Sequence, residues 1–220
     1  MLSKVKIDKS AEFRYSPLSG NSDTIRLLRL LPSKDNKKII QCELVEYDLR
    51  ESGKATHLYE ALSYVWGCPA IPKFIVVNGQ ILDITQNLYM ALLRLRDHKF
   101  PRILWVDAIC INQKSNHEKE QQIQFIPKIY SQATRVLVWL GDEADDSDKA
   151  LEAIWGSRGE KTSNSLDEER IKQAFLKLFE RPWFRRIWVS EDPLDNTCIH
   201  RNYSNYGFRY SRRLPQLDIS

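Results

Sequence analysis

The stretch LWVDAICINQKSNHEKEQQIQFIPKIYSQATRVLVWLG, residues 104–141, decides the fold. It opens inside an apolar run, residues 103–106, whose isoleucine, tryptophan and valine suit a buried strand. The run closes on Asp107, and Cys110 and Ile111 lead to the polar trio Asn112, Gln113 and Lys114. Ile123, Ile126, Tyr130 and Ala133 then recur at spacings of three and four, which predicts a helix with one apolar face. Pro127 falls inside that helix and is expected to kink or break it. A second apolar run, residues 136–140, stops at Gly141. Strand, helix and strand at this spacing imply two parallel strands joined by a crossover. The fold class is therefore α/β, a mostly parallel sheet with flanking helices. Ligands in such sheets bind beyond the carboxyl ends of the strands, where Asp107, Asn112 and Gln113 fall.

Upstream, YEALSYVWG at residues 59–67 reads as another buried strand, broken by the Gly-Cys-Pro that ends it. Residues 74–77 and 80–84 flank Asn78-Gly79, a hairpin signal because this pair favours the type I′ turn. Thr85 is a suitable N-cap for a helix carrying Leu88, Leu92 and Leu95 on one face. Residues 24–31 and 38–49 read as two more strands around a turn at 32–36, an N-terminal β extension of the sheet. Residues 1–23 are polar and read as a leader.

Downstream of Gly141 come an acidic loop at 142–146, a short helix with Leu151, Ile154 and Trp155, and a linker at 157–165. Residues 167–180 predict a helix with Ile171, Phe175 and Leu178 inward, ending before Pro182. An aromatic and basic segment, 181–189, leads to Ser190, Glu191 and Asp192. From 193 to 220 the periodicity disappears, and this stretch reads as an irregular, disordered tail after a domain at 24–192.

Composition narrows the function classes. Of 220 residues, 42% are hydrophobic and 28% charged, as in a soluble globular domain. The net charge is +4, half of it in the 193–220 tail, so the main domain lacks the basic footprint of a nucleic-acid protein. Four dispersed cysteines and four dispersed histidines give neither zinc-ligand spacing nor a disulfide framework. No metal and no resident cofactor are expected. Charges at the start exclude a signal peptide, and no run reaches membrane-spanning length, so a reduced intracellular setting is expected.

Several residues could carry chemistry, each with a plainer role beside it. Asp107 can meet a ligand or cap the next turn through an Asx-type bond. Asn112 and Gln113 can read a polar ligand or satisfy loop backbone. Ser63 lacks the Gly-x-Ser-x-Gly context of a nucleophile elbow. Cys110, flanked by apolar residues, is more readily core packing than a nucleophile. Trp66, Trp105, Trp139 and Trp188 lie at strand ends or in apolar runs, and Trp66, followed by glycine, could present a stacking face. Glu191 and Asp192 follow an Ile-Trp-Val run; a carboxylate beside tryptophan can stabilise positive charge developing at a sugar carbon. Phosphate-binding glycine motifs are absent.

Four blocks in order, residues 59–67, 105–113, 129–141 and 181–189, resemble those of the fungal heterokaryon incompatibility (HET) domain, over about 24 to 192. The resemblance implies a cytoplasmic fungal protein of nonself recognition and programmed cell death, working with protein partners or by self-association, without nucleic acid or membrane. That family is distantly similar to Toll/interleukin-receptor domains, which implies a flavodoxin-like fold. Some of those domains cleave NAD, which would be substrate here and not cofactor. Glu191 or Asp192 would then be the catalytic carboxylate, with Ser63, Trp66, Asp107, Asn112 and Gln113 lining the ligand. The family block usually ends Trp-Val-x-Gln-Glu, whereas this chain has Glu191 one residue early and the shorter Asp192 in the glutamate's place. The family domain also continues into a further helix that 193–220 cannot supply, which implies a truncated or altered C-terminal end. The alternative is therefore a non-catalytic interaction module or an inactive family member.

Overall fold

Seven strands form one sheet in the order β5-β4-β2-β1-β6-β3-β7. They are β1 (Thr24–Leu30), β2 (Gln41–Asp48), β3 (Glu60–Tyr64), β4 (Lys73–Val77), β5 (Gln80–Ile84), β6 (Arg102–Trp105) and β7 (Arg135–Trp139). The helices are α1 (Gln86–Leu95), α2 (Asp107–Cys110), α3 (Asn116–Gln132), α4 (Ser165–Phe179) and α5 (Pro182–Trp188). The structure is a computed structural model that describes residues 13–19, 23–50, 59–144, 147–148, 151 and 165–188. The chain divides into two compact units, the first running through Trp139 and the second beginning at Leu140.

The α/β class stands, but the sheet is mixed. β3 runs parallel to both β6 and β7, and β2 parallel to β4. β1 is antiparallel to β2 and to β6, and β4 to β5. The expectation of a mostly parallel sheet is met only in the β6–β3–β7 half. β6 and β7 are parallel with a helix between them, but they are not neighbours, because β3 lies between them. The N-terminal strands are more than an appendage. β1 is the sheet's middle strand, and every residue in it except Arg29 is buried.

Local signals placed the elements well. Asn78 and Gly79 take φ of 50° and 83°, both left-handed as a type I′ turn requires. Thr85 caps α1 by accepting from the Leu88 N–H, and α1 buries Leu88, Ala91, Leu92 and Leu95. α3 differs from expectation in two ways. It runs unbroken through Pro127. A proline removes one helical hydrogen bond, and here outside anchors on both sides offset that loss. Gln122 Nε2 donates to Thr24 O at 3.0 Å, Tyr59 Oη to Ile129 O at 2.7 Å and Tyr130 Oη to Leu62 O at 3.1 Å. The buried face is also rotated by one residue, centred on Gln122 and Ile129, with Ile123, Ile126 and Tyr130 at its margin.

The first unit's core runs through β1, β3, β4, β6, α1 and α3, with Trp105 and Tyr59 its largest fully buried side chains. Residues 13–19, part of the stretch read as leader, lie against it. Phe13 is buried and its N–H bonds Ile81 O at 2.9 Å. In the second unit Ala174 and Leu178 are buried against Leu140, Leu151, Phe175 and Phe184. Arg181 donates to Leu140 O at 3.2 Å and to Ala144 O at 3.0 Å. Most of the segment read as a bare aromatic and basic stretch, from Pro182 to Trp188, is the helix α5. Ile154, Trp155, the linker as far as residue 164, and the 193–220 tail lie outside the described residues, and Ser165 already belongs to α4.

Candidate functional site

Because β6, β3 and β7 are parallel, their carboxyl ends open on the same edge of the sheet. β3 continues into Trp66 and Gly67, β6 into Val106 and Asp107, and β7 ends at Trp139. Trp66 Nε1 donates to Asp107 Oδ2 at 3.0 Å. The other carboxylate oxygen, Oδ1, accepts from Ala108 N at 2.7 Å in the first turn of α2. Gln113 returns to the same residue, its Nε2 donating to the Asp107 carbonyl at 3.0 Å. Trp139 Nε1 donates to Asn87 Oδ1 at 2.9 Å, and the Asn87 amide donates to Val65 O. Gly67, at φ of 75°, lets this end of α1 approach: a Cβ there would stand 3.1 Å from Asn87 Cβ. Two tryptophans at adjacent strand ends are thus each fixed by a polar side chain.

A second set of residues holds the loop that carries Asp107. Tyr15 Oη donates to Ile109 O at 2.9 Å, and Arg26 Nη1 to Cys110 O at 3.3 Å. Glu118 Oε1 accepts from Asn112 N at 2.9 Å and also meets Arg26 Nη1 at 2.5 Å. Arg26 is 4% exposed. Its Nη2 also reaches Glu118 Oε2 at 3.1 Å and Ser16 O at 2.8 Å, and its guanidinium lies 5.0 Å from the Tyr15 ring centre. Burial pushes the Tyr15 hydroxyl's pKa far up, so it stays a donor. At the opposite end of the parallel strands, Glu60 bridges Arg102 and Arg135 across β6, β3 and β7.

Of the residues singled out from sequence, Trp66, Asp107 and Gln113 are brought together. Asn112 is not: its Oδ1 closes an Asx turn by accepting from Lys114 N at 3.1 Å. Ser63 sits within β3 opposite Val138 and takes no part in the hydrogen bonds just described. Cys110 is packing. It is buried, burial pushes its thiol up to about 12, and its Sγ accepts from Val106 N at 3.3 Å. Glu191 and Asp192 lie outside the described residues. No group of three metal-ligating side chains occurs among the described residues.

Sequence reading missed Asn87, Tyr15, Arg26 and Glu118. One signal was there. Ser115 and Glu118 have the spacing of a capping box, and Ser115 Oγ does accept from Glu118 N at 3.3 Å. The glutamate side chain, however, turns to Asn112 N and Arg26. Arg26, between Ile25 and Leu27, had no local signal at all.

The described strand-end residues from Trp66 to Trp139 fall within residues 59–191, which match the heterokaryon incompatibility protein (HET) family. The chain is also similar to heterokaryon incompatibility protein 6, OR allele, of Neurospora crassa, at 29% identity over 80% of this chain. It spans 32% of that relative's length. No solved structure matches. With more than half of its residues in the match, the chain belongs to the heterokaryon incompatibility (HET) family.

Proposed function

We propose that the chain acts as the HET domain of a fungal heterokaryon incompatibility protein. It converts nonself recognition into a cell-death response in the cytoplasm, through contacts with other proteins or with copies of itself. The observation that carries this reading is the family match over 59–191, which takes in the whole Trp66–Asp107–Gln113 cluster. No helix among the described residues is long and apolar enough to cross a membrane, which suits a cytoplasmic site of action. The test is inducible expression in a filamentous fungus, with death scored by dye uptake. The intact chain should kill, and Trp66→Ala or Asp107→Ala, expressed to the same level, should kill less. Survival of cells that accumulate the folded intact chain overturns the proposal.

A second reading gives the same domain NAD cleavage on a flavodoxin-like, Toll/interleukin-receptor-like frame. Supporting it are the parallel β6–β3–β7 half with its helical crossover and the acids after Trp188. Glu191 and Asp192 are both candidates, Asp192 standing in the place of the family's glutamate and Glu191 one residue before it. A carboxylate there would stabilise an oxocarbenium-like transition state as nicotinamide leaves. Ser63, Trp66, Asp107, Asn112 and Gln113 would line the ligand. Concentrated protein should release nicotinamide from NAD, and one of Glu191→Ala and Asp192→Ala should abolish the release. Absence of nicotinamide from folded, artificially clustered protein rules out this reading and leaves the first intact.

A further inference from the structure

Among the described residues, no strand pairs with the outer edge of β2 beyond Cys42. β2 pairs with β1 from Cys42 to Asp48 without a bulge, but with β4 only at Gln41 and Cys42. The hydrogen bonds Leu31 N to Gln41 O and Leu49 N to Asp23 O fix the phase of the β1 ladder on odd-numbered residues of β2. The even-numbered residues therefore point their backbone groups the other way, toward β4. Ile40 O and Cys42 O accept from Val76 N and Asn78 N there. The β4 chain then turns away at Asn78-Gly79, and the Asn78 side chain takes the next place, its Oδ1 accepting from Leu44 N at 3.0 Å. Beyond it, Leu44 C=O, Glu46 N–H and C=O, and Asp48 N–H face a vacant lane; among the described residues no strand pairs with them.

The surroundings of that lane point to one kind of occupant. A groove of about 310 Å³ lies at the fork of β2 and β4, with Leu31, Val45 and Val76 among its lining residues. Val45 is 40% exposed. β2 reads QCELVEYD, without proline or lysine; its three carboxylates deter a like-charged edge and suit a basic one. Arg29 pairs with Glu43 and Arg50 with Asp48, whereas among the described residues Glu46 meets the Ser19 hydroxyl and N–H and no cation. A second β2 pairing on this edge would add carboxylates to carboxylates, so self-pairing is disfavoured.

We propose that the outer edge of β2, residues 44–48, docks an extended segment of a partner protein by β-strand addition. The segment carries a basic side chain to meet Glu46 and an apolar one to enter the groove. This stands on the sheet edge alone and does not depend on the strand-end cluster or its chemistry.

The experiment uses the full chain and a fluorescent peptide of about ten alternating lysines and valines, long enough to cover the lane. An alternating glutamate and valine peptide is the control. Without peptide, residue-resolved amide exchange should show Glu46 exchanging fast while Val45 and Tyr47, bonded to β1, are protected. Protection of Glu46 in the isolated chain overturns the proposal, because the edge is then already covered. The basic peptide should bind, slow Glu46 exchange about tenfold at ten times its Kd, and weaken in salt. Glu46→Pro removes an outward N–H together with the carboxylate that meets the basic side chain, and should reduce affinity at least about tenfold. Val45→Arg, at an exposed position, is the second variant should the proline disturb folding, and should weaken binding through the groove. Equal binding by the intact chain and either folded variant, or equal binding of the acidic peptide, overturns the proposal.

Discussion

Arg26 and Glu118 show what a single buried pair does. Each alone would be a charge taken from water with no opposite charge to meet it, and together they fix Ser16, Cys110 and Asn112 as well. Arg26→Ala should therefore destabilise by about 3 kcal/mol or more, read as a lowered urea midpoint, because it strands Glu118. Arg26→Met combined with Glu118→Leu should recover much of that loss. The cysteines give a second check. Iodoacetamide followed by peptide mapping should label exposed Cys68 in the native protein and leave buried Cys42 and Cys110 unlabelled until denaturant is added. A third concerns acid. The Arg50 side chain and N–H hold Asp48 down to about 2 from an ordinary 3.8. A depressed folded value gives stability that is present above the unfolded pKa and lost as pH falls through the folded one. The denaturation midpoint of the intact chain should thus fall between about pH 4 and pH 2, and Asp48→Asn should flatten that fall.

At the scale of elements, α3 carries the clearest conflict between local preference and tertiary demand. A proline inside a helix costs about 3 kcal/mol against alanine, yet α3 passes through Pro127 because Gln122, Ile129 and Tyr130 are tied to other elements. Pro127→Ala should raise stability by up to about 3 kcal/mol, seen as a higher urea midpoint with an unchanged slope. The β4–β5 turn has no such conflict. Its Asn78 and Gly79 adopt the dihedrals their residue types favour, and the Asn78 side chain also finishes the lane beside β2. α1 is equally consistent, from the Thr85 cap to its row of buried leucines. Where cap, period and turn agree, the sequence was read correctly. Where a polar residue such as Gln122 sits at the centre of a buried face, a hydrophobic pattern cannot see it.

Across the whole molecule, burial is uneven. The first unit has a continuous core about β1, whereas in the second, among the described residues, only Ala174 and Leu178 form the buried centre. Local opening follows buried apolar contact, so amide exchange should be slowest in β1 and β6 and markedly faster in α4. Equal protection in α4 and β1 would contradict this. The candidate site also belongs to this scale. Trp66 and Asp107 are 41 residues apart, and Trp139 and Asn87 are 52 apart. They meet because three parallel strands end together and the first turn of α1, which carries Asn87, lies beside them.

The sequence by itself determined where the strands and the two long helices of the first unit lie, the Asn78-Gly79 turn, the Thr85 cap, the α/β class and the family; the short helix α2 was not legible in it. These follow from side-chain period and from dihedral preferences, which act over a few residues. Only the tertiary structure decided the strand order, the insertion of β3 between β6 and β7, and the antiparallel β1 at the sheet's centre. It alone decided the pairing of Arg26 with Glu118 across 92 residues, and the open edge of β2. The reason is that strand ladders join backbone groups that every residue carries. A strand's own letters say that it will pair and which face it will bury, but the choice of neighbour rests on how the whole chain closes over its core.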